Sequence, residues 1–224
     1  MVYKYKPRTT LAVAGSDFAV AIADDRVSKG YSICTRKGCK ITKLYVFFVS
    51  ESSFYLRTDQ CVILTSGMLA DQITLHKVLL TKIKLYEADM HKSPSIEAIA
   101  QMLSTTLYYK RFFPYYTFNL LAGVDSNGKG AVYGYDAIGS YERLSQGAQG
   151  SGRSLVQSIL DNQVSKTNQL IPTGAAVTVD DLKTLCKDAI SSACERDIYT
   201  GDSATICVIS SEGVRFEKME LRKD

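Results

Sequence analysis

Tryptophan is absent, proline occurs four times and histidine twice among 224 residues. So few prolines exclude a Pro-rich linker protein. The longest fully apolar stretch, Leu44–Val49, is far below the ~18 residues that a membrane span needs. Basic residues near Met1 are followed by no apolar stretch, so the start does not read as a signal peptide. Twenty-seven Lys and Arg oppose 23 Asp and Glu, a net +4 that is scattered along the chain. That excess is too small to call for a nucleic-acid or other polyanion partner. The Arg111–Tyr116 stretch is aromatic, but only Arg111 and Lys110 back it with charge. It therefore reads as a core or inter-subunit contact and not as a base-stacking platform. No membrane partner is expected.

Six cysteines are present, with no Cys-x-x-Cys pair. Cys34 and Cys39, with His76 and His91, lack the spacing of a zinc site. The expectation is reduced, mostly buried thiols in a cytosolic or nuclear setting, with no metal and no cofactor.

What the chain does contain is a globular composition: 46% hydrophobic and 22% charged residues. That length fits one domain, or two small ones, and no linker or repeat divides it. Thr10–Gly15 and Phe18–Ala23 alternate in the manner of strands, and Gly15-Ser16-Asp17 between them is turn chemistry. Asp24-Asp25-Arg26 closes the second strand, and shorter strands follow at 32–34, 40–44 and 61–65. The period then becomes helical through Leu69, Ile73, Leu79 or Leu80, Ile83 and Tyr86. Ser93-Pro94 predicts the start of a second helix that carries Ile96, Ile99, Ala100, Leu103 and Leu107. Strands return at 117–124 and 130–135, joined by a glycine-containing turn from Asp125. A third helix is predicted from Gly152 to about Asn162, and a fourth from Asp180 to Arg196, with Thr178 and Asp181 at capping-box spacing. Strands at 204–210 and 214–221 close the chain. This order predicts an α+β domain with helices covering two antiparallel sheets.

Specific segments carry a resemblance. Thr9-Thr10-Leu11-Ala12, Ala23-Asp24-Asp25-Arg26, Ser66–Asp71, Gly150-Ser151-Gly152 and Arg196–Gly201 occur in that order. Together they resemble the proteasome beta subunits, N-terminal nucleophile hydrolases with a four-layer αββα fold, over nearly all of 1–224. Arg111–Tyr116, Gly128–Tyr133, Gly139–Arg143, Leu160–Val164 and Leu221–Asp224 are most similar to members at the sixth position of the eukaryotic ring. The resemblance implies a non-catalytic structural subunit of the 20S core in cytoplasm and nucleus. It would work in ATP- and ubiquitin-dependent protein degradation. Its partners would be ring neighbours, the opposite beta ring and alpha-ring subunits.

The family's chemistry needs an N-terminal threonine hydroxyl as nucleophile, whose own amine or a water it holds is the base. A lysine held by an aspartate lowers the local proton affinity. Asp24 and Lys40 match that pair, sixteen positions apart. One more step of sixteen toward the N-terminus reaches Arg8, which has no hydroxyl. The alternative is an active threonine endopeptidase processed before Thr9 or Thr10. It would sit out of register, and a one-residue slip on a strand turns a side chain to the other face. Arg8, Asp24, Lys40, Ser151, Asp197 and Thr200 thus read as the scaffold of an active site without its nucleophile. Residue by residue, Asp24–Lys40 would be a buried ion pair. Ser151 would cap the third helix, and Asp197 and Thr200 would hold a turn. For Asp125 two readings stand. The resemblance implies a contact with substrate in the pocket of the chymotrypsin-like neighbour, whereas the residue type alone implies a turn aspartate binding its own backbone.

Two segments depart from the family pattern. Residues 1–8 read as a leader-like extension. Residues 45–57 read as an insert at a strand-to-strand turn, because Gly67 lies further from Lys40 than the family places it. Five aromatics make the insert unusual for a loop. It fits either a lengthened hairpin buried against a neighbour or a gene-model error.

Overall fold

The structure is a computed structural model, and it describes residues 9–38, 40–44, 60–166, 168–169 and 178–223. The 1–8 extension and the 45–57 insert lie outside the described residues, as does Arg8.

Alternation builds the first sheet. β1 (Thr10–Ala14) and β2 (Phe18–Asp24) form the expected hairpin, and Leu11, Val13, Val20 and Ile22 point to one side of it. The opposite side is Ala12, Ala19, Ala21 and Ala23. A short ribbon, β3 (Val27–Lys29) with β4 (Ser32–Thr35), leads to β5 (Ile41–Lys43) and β6 (Cys61–Gly67). β5 and β6 pair antiparallel, Ile41 opposite Leu64, on either side of residues 45–59.

α1 (Leu69–Met90) and α2 (Ile96–Tyr109) follow. The buried stripe of α1 is Gln72, Leu75, Leu79 and Ile83, so Ile73 faces outward, contrary to the expected stripe. α2 begins two residues later than expected. Its N-cap is Ser95, whose side chain accepts the Ala98 N–H, while the Ser93 hydroxyl is taken by Glu87. Next come β7 (Thr117–Val124), β8 (Gly130–Tyr135), β9 (Tyr141–Leu144) and β10 (Gln146–Gln149). α3 (Arg153–Leu160) runs on into a single π-helical turn, Asp161–Ser165. α4 (Val179–Arg196) carries a complete Thr178–Asp181 capping box, and β11 (Ser203–Ser210) and β12 (Gly213–Glu220) finish the fold.

The strands assemble into two five-stranded sheets, ordered β10-β1-β2-β11-β12 and β5-β6-β7-β8-β9. α3 and α4 cover the first sheet through Val156, Leu160, Leu182, Cys186 and Ile190. α1 and α2 cover the second through Leu75, Leu79, Leu103 and Leu107. The alanine side of β1 and β2 meets Val62, Leu64, Leu120, Ala122 and Val132 between the sheets. Small side chains there let the sheets close without voids, and a larger residue would overpack them. The result is the four-layer αββα sandwich.

One glycine is demanded by its backbone. Gly67, at the end of β6, has φ +115°, and a Cβ there would lie 2.3 Å from the Tyr116 carbonyl oxygen. Of the five described cysteines, Cys61, Cys186 and Cys207 are buried, Cys194 is partly buried and Cys34 is exposed. No group of three or more metal-ligating side chains occurs among the described residues, and none of their helices is long and apolar enough to cross a membrane.

Candidate functional site

Five of the positions marked in the sequence converge at one end of the sandwich. Asp24 ends β2, Lys40 precedes β5, Ser151 lies between β10 and α3, Asp197 caps the C-terminus of α4, and Thr200 sits in the turn before β11. Thr9, just ahead of β1, joins them.

Lys40 Nζ lies 2.5 Å from Asp24 Oδ1, and both side chains are fully buried. The same carboxylate oxygen accepts the Thr9 backbone N–H at 3.0 Å, and Oδ2 accepts the Arg26 N–H at 3.2 Å. The Thr9 side chain reaches the other way. Its Oγ1 accepts the Gly152 N–H at 2.9 Å and lies 2.6 Å from Thr200 Oγ1. Thr200 donates to Asp197 Oδ2 at 2.7 Å, and Ser151 donates to the same oxygen at 2.5 Å. Asp197 Oδ1 accepts the Tyr199 N–H. One continuous polar chain therefore runs Lys40–Asp24–Thr9–Thr200–Asp197–Ser151.

The expected helix cap at Ser151 is corrected: the N-cap of α3 is Gly152, which makes no side-chain cap bond. Ser151 lies one residue ahead of that cap and donates its hydroxyl proton to the Asp197 carboxylate. A Cβ on Gly152 would lie 2.5 Å from Thr9 Oγ1, so the close approach of the two segments needs glycine there.

The Thr9 hydroxyl is fully buried, with its donor and one acceptor site used. Thr10 is also fully buried, and its Oγ1 has no hydrogen-bond partner among the described residues. Neither histidine enters the cluster. His76 stands on α1 between the hydroxyls of Thr42, at 3.1 Å, and Thr65, at 2.7 Å, and burial pushes its pKa down to about 4. His91 ends α1 in the left-handed conformation.

A second layer, not anticipated from the sequence, supports the loop that bears Thr200. Arg26 donates to Asp202 at 2.9 and 3.2 Å, to the Ile198 carbonyl at 2.9 Å and to the Arg222 carbonyl at 3.3 Å. Donation to the Asp202 carboxylate raises the Arg26 pKa above its ordinary value. Arg36 also binds Asp202. Burial opposes the charge of Asp202, yet Arg26 and Arg36 outweigh it and hold that carboxyl below the usual range. Arg26 belongs to the quoted Asp24-Asp25-Arg26 motif, and that was the only signal of this layer.

Asp125 stands apart from this cluster, at the end of β7. Its Oδ1 accepts the Asn127 and Lys129 N–H groups, both at 2.9 Å, and its Oδ2 accepts from Arg143 at 2.8 Å. The Lys129 N–H foremost, then Arg143 and the Asn127 N–H, hold its pKa below the ordinary value against the opposing effect of burial.

A profile of the proteasome subunit family matches residues 5–209. The chain belongs to that family, in its beta branch. It is 50% identical over 218 residues to "Proteasome subunit beta type-1" of Dictyostelium discoideum, covering 96% of this chain and 87% of the relative. Against "Proteasome subunit beta type-1" of Petunia hybrida the identity is 47% over 220 residues, with 96% and 93% covered. Against "Probable proteasome subunit beta type-6" of Schizosaccharomyces pombe it is 36% over 224 residues, with 96% and 94% covered. Most of these beta subunits carry the number 1 in their names, so the expected sixth position is matched by one name and not by the others.

Proposed function

We propose that this chain is a non-catalytic structural subunit at the sixth position of the beta ring of the 20S core, in cytoplasm and nucleus. It holds catalytic neighbours in place around the chamber that degrades ubiquitin-tagged proteins. Its contacts are ring neighbours, the opposite beta ring and the alpha ring. One observation carries the absence of catalysis. The hydroxyl nearest the required position, that of Thr9, is buried and committed to Gly152 and Thr200, while Arg8 stands where the family register places the nucleophile. An endopeptidase processed at Thr9 or Thr10 would have to break that network.

The assembly role is supported by a cluster of exposed aromatics. Tyr109, Phe112 and Phe113 are more than three-quarters solvent-facing in the single chain, and Phe112 reaches 88%. Arg111 stacks between Tyr108 and Phe112. A patch of that kind is covered by a partner in a stable particle. The name of the Schizosaccharomyces pombe relative supports the sixth position. At that position the hairpin bearing Asp125 borders the pocket of the chymotrypsin-like neighbour, so it helps to shape that pocket.

N-terminal sequencing of the chain isolated from intact particles tests the assignment, together with labelling by an epoxyketone probe. The expected result is no threonine start and no label on this chain. A labelled threonine at its N-terminus overturns the proposal.

A further inference from the structure

The C-terminal end of α2 sets a cation among exposed rings. The chain there is tied back on itself: the Lys110 N–H donates to the Leu107 carbonyl, the Arg111 N–H to Tyr108 and the Phe113 N–H to Lys110. Pro114 follows with its fixed φ. The turn so held presents Tyr108, Tyr109, Phe112 and Phe113, each more than half exposed. The Arg111 guanidinium carbon lies 4.6 Å from the centre of the Tyr108 ring and 4.4 Å from that of Phe112. Two aromatic rings thus hold the cation in place. No described residue accepts from its side-chain N–H groups. The carboxylates of the adjoining segments are engaged elsewhere, Asp71 with the Tyr116 N–H and Asp136 with the Ile138 and Ser140 N–H groups. Lys110, exposed beside Arg111, adds a second positive charge.

A partner that covers these rings takes Arg111 out of water. Ring faces do not replace the hydrogen bonds that its N–H donors then lose, and a buried charge without a hydrogen-bonded counter-ion is strongly destabilising. A carboxylate answers both needs, because its two oxygens fit the guanidinium fork and cancel its charge. The surrounding rings call for apolar side chains on either side of that acid. We propose that the Tyr108–Phe113 turn seats a segment of a neighbouring subunit that presents an Asp or Glu carboxylate to Arg111 between apolar side chains. This rests on the assembly role given above, in which a partner covers the aromatic cluster.

The test uses intact core particles in which Phe112 of this subunit is replaced by the photo-cross-linker p-benzoylphenylalanine. Irradiation should join it to a segment of another subunit, and mass spectrometry of the joined peptides should find an Asp or Glu beside the attachment point. Without the cross-linker, Arg111→Gln should lower the ratio of assembled to free chain about tenfold, and Arg111→Lys should lower it less. Arg111→Glu should assemble poorly with the native partner and recover when the partner's acid is changed to Arg. A chain that merely misfolds would not be rescued in that way. If the joined segment carries no acid, or if Arg111→Gln assembles as well as the native chain, the inference fails and the assembly role stands. If no cross-link to another subunit forms, the aromatic cluster is uncovered, and the assembly reading of it fails together with the inference.

Discussion

The hydroxyl of Thr9 lies 2.6 Å from that of Thr200, and their neighbours fix the direction of the bond. Thr200 spends its proton on Asp197, so it accepts from Thr9, whose remaining acceptor site takes the Gly152 N–H. Replacing Thr9 by Val strands that N–H in the interior. The expected cost is about 1–3 kcal/mol of stability, with Thr9→Ser largely sparing it. Thermal unfolding of the purified chain, wild type against both variants, measures this.

Lys40 and Asp24 should behave asymmetrically. Lys40→Met removes the cation from a buried carboxylate that keeps the Thr9 and Arg26 backbone N–H donors. The loss should be about 3–5 kcal/mol. Adding Asp24→Asn to Lys40→Met should recover part of it, because the amide oxygen still accepts the Thr9 N–H and carries no charge. A double-mutant cycle in denaturant detects the coupling, and strict additivity would refute it.

Stability should fall in mild acid through His76. Its folded pKa, about 4, lies below the unfolded value near 6.5, so the folded state prefers the neutral ring. This contribution is complete above the unfolded value and is lost progressively as pH falls toward about 4, amounting to roughly 3 kcal/mol. Denaturant titrations between neutral pH and pH ~4.5 should show the slope, and His76→Gln should flatten it.

Gly67 should tolerate no side chain. Positive φ and the Tyr116 carbonyl both oppose a Cβ, so Gly67→Ala should cost at least about 2 kcal/mol by chemical denaturation.

The main strands and the four helices were legible because apolar residues alternate or recur at helical spacing, whereas the αββα layer order came from the family resemblance. Leu11 and Val13 against Ala12 is the plainest case. β9 and β10 were not legible, because Tyr141–Gln149 mixes aromatic, charged and glycine residues without a clean period and is held by pairing with β8 and β1. Ile73 was misplaced because several apolar registers on α1 compete, and the stripe that packs on the sheet is Leu75, Leu79 and Ile83. At the site, Asp24 and Lys40 were visible through the family resemblance, which sets an aspartate and a lysine sixteen positions apart. The Arg26–Asp202 layer was not visible, since it joins residues 176 apart in the chain. The pairing of Arg143 with Asp125 was hidden for the same reason: residue type indicates a turn at Asp125 but not which cation closes over it.

The order of the first sheet has a consequence for how the molecule is made. β2 is flanked by β1, its immediate predecessor, and by β11, whose Ser203 reaches Asp25 across 178 positions. During synthesis one margin of β2 stays open until nearly the whole chain has emerged, and the Arg26 grip on the Arg222 carbonyl closes later still. Completion of this sheet is therefore a late, long-range event that sets the pace of folding. An emerging chain carries an unsatisfied strand margin through most of translation, when it is most exposed to wrong pairing.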